Sequence, residues 1–371
     1  MPGPQSTLFF LMMAAAFAGL IWWLAVARQL VFRVFAACLA FVPAMLFGVA
    51  AVNKYYDYYQ TWGALYSDLS GQTTSIPHLT AASVGKGTGG SLKTLIAGSG
   101  DAQIDAEYGV IFSTTITGRR SHISRQVLVY LPPQYFSKTY ANYRFPVIEL
   151  LHGSPGDPSA WVNVMNVVPI YLNAMASGKA RPAVLSQILR VQPPGPAWGI
   201  AGYSEGGFCA ANLGLRYGRY FGYAGVLSGY FRPLDNQLGH PPRPVSPFGG
   251  NARLRRQNTP DDLVRSLPAG APVAQFWLGA GAGVAQDVGD ARVFDQLLQI
   301  RQPRVTLRLV PGGGHSMFTW RSLAPPMLEW MTPRLTAEAD LATKRATRAR
   351  KAQARAARAW TRPRGPSAAR A

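Results

Sequence analysis

Two long uncharged apolar runs open the chain. Thr7 to Ala27 carries no charged side chain in 21 residues and Val34 to Asn53 none in 20. Each is close to the ~20 residues that cross a bilayer core as a helix. The pattern predicts a membrane anchor over 1–62 with two transmembrane helices, about 7–27 and 34–53. The loop between them holds Arg28 and Arg33, whereas Met1 to Ser6 carries no charge and Lys54 after the second run is offset by Asp57. Basic loops stay on the cytoplasmic side, so both ends of the hairpin are expected outside, giving a multi-pass cell-membrane protein with an extracytoplasmic domain. Trp22-Trp23 and the cluster Tyr55-Tyr56-Asp57-Tyr58-Tyr59-Gln60-Thr61-Trp62 suit the aromatic belts at the interfaces. A cleaved signal peptide is the competing reading, but the first run lacks a basic n-region and a second apolar run follows almost at once.

From 63 to 102 the pattern fades into a Gly-, Ser- and Thr-rich linker, clearest over Thr73 to Ser99. Periodicity returns over 103–335. Val110 to Ile116 and Arg125 to Leu131 are rich in strand-forming residues, and Pro132-Pro133 ends the second. Phe145 to Leu151 predicts a buried strand running into the turn His152-Gly153-Ser154-Pro155-Gly156. Asp157 to Ser177 predicts a helix with Ser159 as N-cap and a stripe of Trp161, Val164, Val168, Leu172 and Met175. Further strands are expected at Trp198–Ala201, Gly225–Ser228, Pro272–Leu278 and Val305–Val310. Helices are expected at Phe208–Tyr217, Val293–Ile300 and Ala324–Met331. Strands alternating with helices predict an α/β fold with a mostly parallel sheet covered on both faces.

Length and charge add two points. The chain's 371 residues hold one α/β domain with appendages, and 48% of them are apolar. Of the net charge of +20, the segment from Arg334 onward supplies eleven Lys or Arg against Glu338 and Asp340, a net of +9. The basic, Ala- and Arg-rich tail over 336–371 is expected to be solvated or only partly helical. It is suited to anionic lipid or wall polymer; nucleic acid is not expected as a partner, because no recognition motif accompanies the charge. Cys38 and Cys209 lie in unrelated segments and predict neither a disulfide nor a metal cluster.

The chemistry gathers around Gly202-Tyr203-Ser204-Glu205-Gly206-Gly207, a G-x-S-x-G between a predicted strand and a predicted helix. Such a nucleophile elbow needs near-absent side chains two before and two after the serine. A serine hydroxyl is a weak nucleophile at neutral pH and needs a histidine base, itself oriented by an acid. Of the five histidines only His315, in Pro311-Gly312-Gly313-Gly314-His315-Ser316, follows the last strand. The acid belongs between serine and histidine, where Gly279 to Asp290 offers Asp287 and Asp290; Asp290 reads more easily as an N-cap for the following helix. The backbone N–H groups of Ser154 and Glu205 are the expected oxyanion donors. No cofactor or metal is expected.

These residues resemble the esterase family of α/β hydrolases that includes esterase D-like enzymes and mycolyltransferases, in its membrane-anchored actinobacterial form. The resemblance runs from roughly Val127 to Leu335 and rests on Val129-Tyr130-Leu131-Pro132-Pro133, Leu151-His152-Gly153-Ser154-Pro155-Gly156, the Gly202–Gly207 elbow and Gly312-Gly313-Gly314-His315-Ser316. It implies an α/β-hydrolase fold and a Ser204–His315–Asp287 triad, since Gly281 to Gly289 is similar in spacing to the mycolyltransferase loop bearing the acid. The implied activity is that of a serine esterase or acyltransferase on an ester of an amphiphilic or cell-envelope substrate. One departure stands out. Only twelve residues separate Arg181-Pro182-Ala183-Val184-Leu185 from Trp198, too few for both a strand and a parallel crossover. Either a strand is missing or Ala183 to Val191 is the remnant of a helix. That departure supports an alternative reading, a catalytically impaired hydrolase-fold surface protein that binds anionic envelope components.

Overall fold

The computed structural model describes residues 2–69, 82–83, 108–118, 121–154, 156–184, 191–233, 248–302 and 305–360. The apolar runs form α1 (Thr7–Val26) and α2 (Leu30–Tyr56). The second helix starts and ends beyond the expected 34–53, because Arg33 and Lys54 are absorbed into its terminal turns. Phe10 meets Phe47 at 5.2 Å and Trp23 meets Phe35 at 6.1 Å, so the pair is an antiparallel hairpin. Both helices are long and apolar enough to cross a membrane, and only 6% and 22% of their most apolar windows are buried. They are therefore not core helices of the domain that follows.

The expected linker is interrupted at both described points. Helix α3 (Trp62–Leu69) continues from the hairpin, and β1 (Ala82–Ser83) pairs parallel with β2 (Val110–Thr117). Strand β2 pairs antiparallel with β3 (Ser124–Leu131) in unbroken register from Val110–Leu131 to Thr117–Ser124. The rest of the linker lies outside the described residues.

The main sheet is parallel, in the order β4 (Val147–Leu151), β5 (Gly195–Tyr203), β6 (Phe221–Leu227), β7 (Gln275–Gly281) and β8 (Thr306–Val310). Alternating side chains divide it into two cores, as the two-residue repeat of a strand requires. On one face Trp198, Ile200, Phe276 and Leu278 pack against α5 (Glu205–Arg216), α7 (Pro260–Ser266) and α8 (Ala285–Leu298). A short helix, α6 (Ala252–Arg256), precedes α7. On the other face Ala201, Tyr203 and Trp277 pack against α4 (Val167–Ala176) and α9 (Met317–Trp360). Both faces are covered, which is how a parallel sheet is stabilised.

Three expectations are corrected. The single helix over Asp157–Ser177 is instead a π-helical turn, Ala160–Val164, and α4, separated by Asn166 in the left-handed region (φ 55, ψ 39). Ser159 caps neither of them with its side chain; its own N–H donates to Asp157 Oδ1 at 2.6 Å. Secondly, the closing helix is not confined to Ala324–Met331: α9 runs through Pro325, Pro326 and Pro333 to Trp360, so the start of the tail is a continuous helix. Leu323, Met327, Leu328, Met331, Leu335 and Ala339 are fully buried along it, and that burial outweighs the proline penalty. Gln192 Nε2 donates to the Ala339 carbonyl at 3.2 Å, so the first turns of the tail belong to the domain.

The third concerns the short segment before β5. Val184 forms an isolated parallel bridge to Val147 at the start of β4, and Val191 one to Phe145 just before it. The described ends of Ala183 to Val191 are thus extended rather than the remnant of a helix; 185–190 lie outside the described residues. The buried Tyr171 hydroxyl donates to the Arg181 carbonyl at 2.5 Å and accepts from the Ala183 N–H at 2.6 Å. Val184 joins Phe145, Val129 and Leu131 in one buried cluster, which closes the seam between the antiparallel and parallel sheets.

Candidate active site

Strand β5 ends at Tyr203 and α5 begins at Glu205, leaving Ser204 alone to make the turn at φ 53, ψ −121. A non-glycine residue at positive φ stores strain and persists only where its surroundings enforce it. Here the Ser204 N–H donates to Leu227 O at 2.9 Å, and its own carbonyl accepts from the Phe208 N–H at 3.1 Å. A Cβ on Gly202 would press into the Gly206 carbonyl, and one on Gly206 into the Leu151 carbonyl. Both glycines are thus demanded by close backbone approach.

His315 lies in the loop between β8 and α9. The loop is fixed by Gly283 N–H to Gly313 O (2.8 Å), Gly313 N–H to Val310 O (3.0 Å) and the Thr319 hydroxyl to Gly314 O (2.6 Å). His315 Nδ1 stands 2.8 Å from Asp287 Oδ2 and Nε2 stands 3.0 Å from Ser204 Oγ. A carboxylate at Asp287 can only accept, so Nδ1 carries the proton and Nε2 is free to accept the serine proton. The histidine side chain is 36% exposed and the aspartate 13%, so the ring opens to the surface while its partner is shielded.

Asp287 lies in the first turn of α8 rather than in a loop, and Asp290 one turn further on. The N-cap of that helix is Val284, so the N-cap reading of Asp290 is corrected. Asp290 has its carboxyl pushed up, first by burial and then by the neighbouring charge of Asp287, with Arg232 opposing the shift. Arg232 itself pairs with the buried Asp261 at 2.8 Å. Asp287 thus reaches the imidazole, and its charge acts in turn on Asp290.

Of the two expected oxyanion donors, Glu205 directly follows Ser204 and Ser154 directly follows Gly153. Glu205 opens α5, where first-turn N–H groups lack intrahelical partners and the helix dipole is positive. A Cβ on Gly153 would meet the Tyr203 ring at 2.8 Å and Ser204 Cβ at 3.1 Å, so the backbone leading into Ser154 passes against Ser204. Among the described residues no group of His, Cys, Asp or Glu could hold a metal ion. Cys38 and Cys209 are both free, and burial pushes the Cys209 thiol up.

Sequence reasoning missed the aromatic wall behind His315. Trp320 meets the His315 ring edge-on at 5.1 Å and 88°, stacks on Tyr203 at 4.7 Å, and Tyr203 in turn meets Trp161 at 5.3 Å. Trp320 stands five residues past His315, in a stretch whose helical start the prolines hide.

No family model matches the chain. An uncharacterized protein of Corynebacterium glutamicum is 24% identical over 343 residues, covering 79% of this chain and 74% of that protein. Among solved structures, a ferulic acid esterase superposes with a TM-score of 0.52 at 19% identity, over 61% of this chain and 98% of that one. An S-formylglutathione hydrolase from Agrobacterium tumefaciens superposes with a TM-score of 0.49 at 16% identity, over 63% of this chain and 98% of that one. At 19% identity the likeness to the ferulic acid esterase is one of fold: the domain has the α/β-hydrolase fold, preceded by an apolar helical hairpin.

Proposed function

We propose that this chain is a membrane-anchored serine hydrolase that cleaves or transfers a carboxylic ester through an acyl-Ser204 intermediate. The observation that carries this reading is the unbroken line from Ser204 Oγ through His315 to Asp287, at 3.0 Å and 2.8 Å, built on a serine held at positive φ. Ser204 Oγ attacks the ester carbonyl while His315 Nε2 takes its proton. The N–H groups of Ser154 and Glu205 hold the developing oxyanion, a contribution of about 3–4 kcal/mol per donor in comparable sites. The tetrahedral intermediate collapses as His315 returns the proton to the leaving alcohol. Water or a second alcohol then repeats the sequence in reverse, with His315 again as base. Asp287 holds the ring in the required tautomer throughout. The fold likeness to an esterase agrees with this chemistry.

The anchor is part of the proposal. Leu30, Phe41 and Trp22 are 75%, 69% and 69% exposed on the hairpin, a surface suited to lipid rather than water. Arg28 and Arg33 at its closed end support a cytoplasmic position for that end, with the hydrolase domain outside. An external, tethered esterase is suited to amphiphilic or cell-envelope esters. Along α9, Lys344, Arg348, Lys351 and Arg355 fall on one exposed face at helical spacing, suited to anionic head groups or wall polymer. The bridges of Val184 and Val191 to Val147 and Phe145 set the ends of the short segment before β5 beside β4, the neighbour of the nucleophile strand, which supports the active-enzyme reading over the impaired one.

A fluorophosphonate probe tests the reading. Wild type labels at Ser204, and Ser204→Ala and His315→Ala do not label at a comparable rate. A folded wild type that never labels sinks the proposal, and relative turnover of short soluble and lipid esters decides the substrate class.

A further inference from the structure

The corner where α2 leaves the apolar hairpin is tied to the active site by one side chain. Asp57 caps α2 in the left-handed region (φ 51, ψ 40), with its N–H on the Asn53 and Lys54 carbonyls. The next residues are fixed by Asn53, whose Nδ2 donates to Tyr59 O at 2.9 Å and whose Oδ1 accepts from Tyr59 N–H at 2.7 Å. Gln5 Nε2 adds a second bond to the Tyr59 carbonyl at 3.0 Å. The corner is thus built as a rigid turn.

Arg321, in the first turns of α9, reaches into it. Its Nη1 donates to Asp57 Oδ2 at 2.5 Å and to Asp57 O at 3.0 Å, and its Nη2 to Tyr58 O at 2.9 Å. Its Nε donates to Val164 O at 2.8 Å, on the π-helical turn that carries Trp161. Both charged side chains are only 16% exposed. Burial lowers the Arg321 pKa and Asp57 opposes the shift, so the guanidinium is matched to its carboxylate. One planar cation thereby joins the hairpin corner, the π turn and α9.

The neighbour of Arg321 in sequence is Trp320, which bears edge-on on His315 and face-on on Tyr203. With 36% of its side chain exposed, the His315 ring is not fixed by burial. Its place is set by the Asp287 bond on one side and Trp320 on the other. We propose that Arg321 and Asp57 are positioning residues for the His315 base, so that the membrane hairpin's exit corner is part of the active-site scaffold rather than a tether alone. The inference rests on the serine-hydrolase reading. A base displaced by about 1 Å can lose on the order of a hundredfold in rate, so the clasp acts on kcat more than on KM.

The test uses the full chain in detergent micelles with p-nitrophenyl acetate, each preparation titrated with a fluorophosphonate to count competent sites. Asp57→Ala is expected to lose at least tenfold in kcat per titrated site with KM within about twofold. Asp57→Asn recovers most of the rate, since a neutral oxygen still accepts from Nη1. Arg321→Lys stays impaired, because an ammonium cannot span the four acceptors. Unchanged kcat and labelling rate per titrated site in Asp57→Ala, with only the titrated fraction or Tm reduced, would mean that the clasp merely holds the fold and overturns the inference. If Asp57→Ala does not fold, wild-type kcat per site in Arg321→Lys overturns it equally. A wild type that neither labels nor turns over the ester fails the hydrolase reading itself, which is a separate outcome.

Discussion

Replacing Asp287 with asparagine is the sharpest probe of the proposed chemistry, because it keeps shape and reverses one hydrogen bond. In the wild type the carboxylate oxygen lies 2.8 Å from His315 Nδ1 and can only accept, which leaves Nε2 to take the Ser204 proton across 3.0 Å. The Asn amide can instead donate to Nδ1. The imidazole proton then resides on Nε2, and Ser204 faces a donor where it needs a base. In the serine-protease template this tautomer error costs about 10⁴-fold in kcat, or roughly 5.4 kcal/mol at 1.36 kcal/mol per decade. Misfolding cannot account for such a loss. A first-turn carboxylate contributes about 0.3–1 kcal/mol through the helix dipole, small beside the 5–15 kcal/mol that typically holds a domain together. The assay is p-nitrophenyl acetate turnover on protein shown by thermal unfolding to be folded, with Asp290→Asn as the control. Asp290 makes no hydrogen bond to His315, and its variant is expected within threefold of wild type. The reasoning fails if Asp287→Asn keeps activity within tenfold while Asp290→Asn loses it.

Three further outcomes follow from the packing and the charges. Burial and Asp287 raise the Asp290 pKa in the fold, so its contribution to stability is present below the ordinary carboxylate pKa of about 3.9 and is lost as pH rises through the folded value. Asp290→Asn should therefore have a higher Tm than wild type at pH 7, with the gap closing as pH falls toward 4; a lower Tm at pH 7 contradicts this. Leu335→Ala removes a fully buried side chain from the underside of β5 and should cost about 2–5 kcal/mol in denaturant unfolding, whereas ending the chain after Thr343 should leave Tm nearly unchanged. Tyr171→Phe strands the buried Ala183 N–H, which donates to the tyrosine hydroxyl at 2.6 Å, and should cost about 1–3 kcal/mol; no measurable change would mean that water or another acceptor replaces the hydroxyl.

Much of the candidate site is legible in the sequence. The elbow glycines, the serine, the downstream histidine and both candidate acids were all within reach of motif and chain order, since a strand–turn–helix with a strained serine tolerates few residue types. Strand existence was legible for the same reason, because apolar runs bounded by Gly and Pro leave little else to form. Boundaries were less so. Strand β5 begins at Gly195 rather than Trp198, because Gly195 pairs with Phe221, and α8 begins at Ala285 rather than Val293, because its first two turns are mostly small and polar and carry no apolar stripe.

By itself the sequence determined an apolar hairpin, a parallel α/β sheet and the residue types of the proposed nucleophile, base and acid in order, because each is written in local composition and spacing. Which acid meets the base was decided only in three dimensions, since Asp287 and Asp290 share one helix and one turn of rotation separates contact with His315 from none. The same holds for α9, whose prolines say stop while Leu335 and Ala339 are drawn into the core. It holds most for Arg321 and Asp57, 264 residues apart in sequence. Nothing local marks either residue, and only the packing of α9 across the sheet brings the cation to the corner of the hairpin.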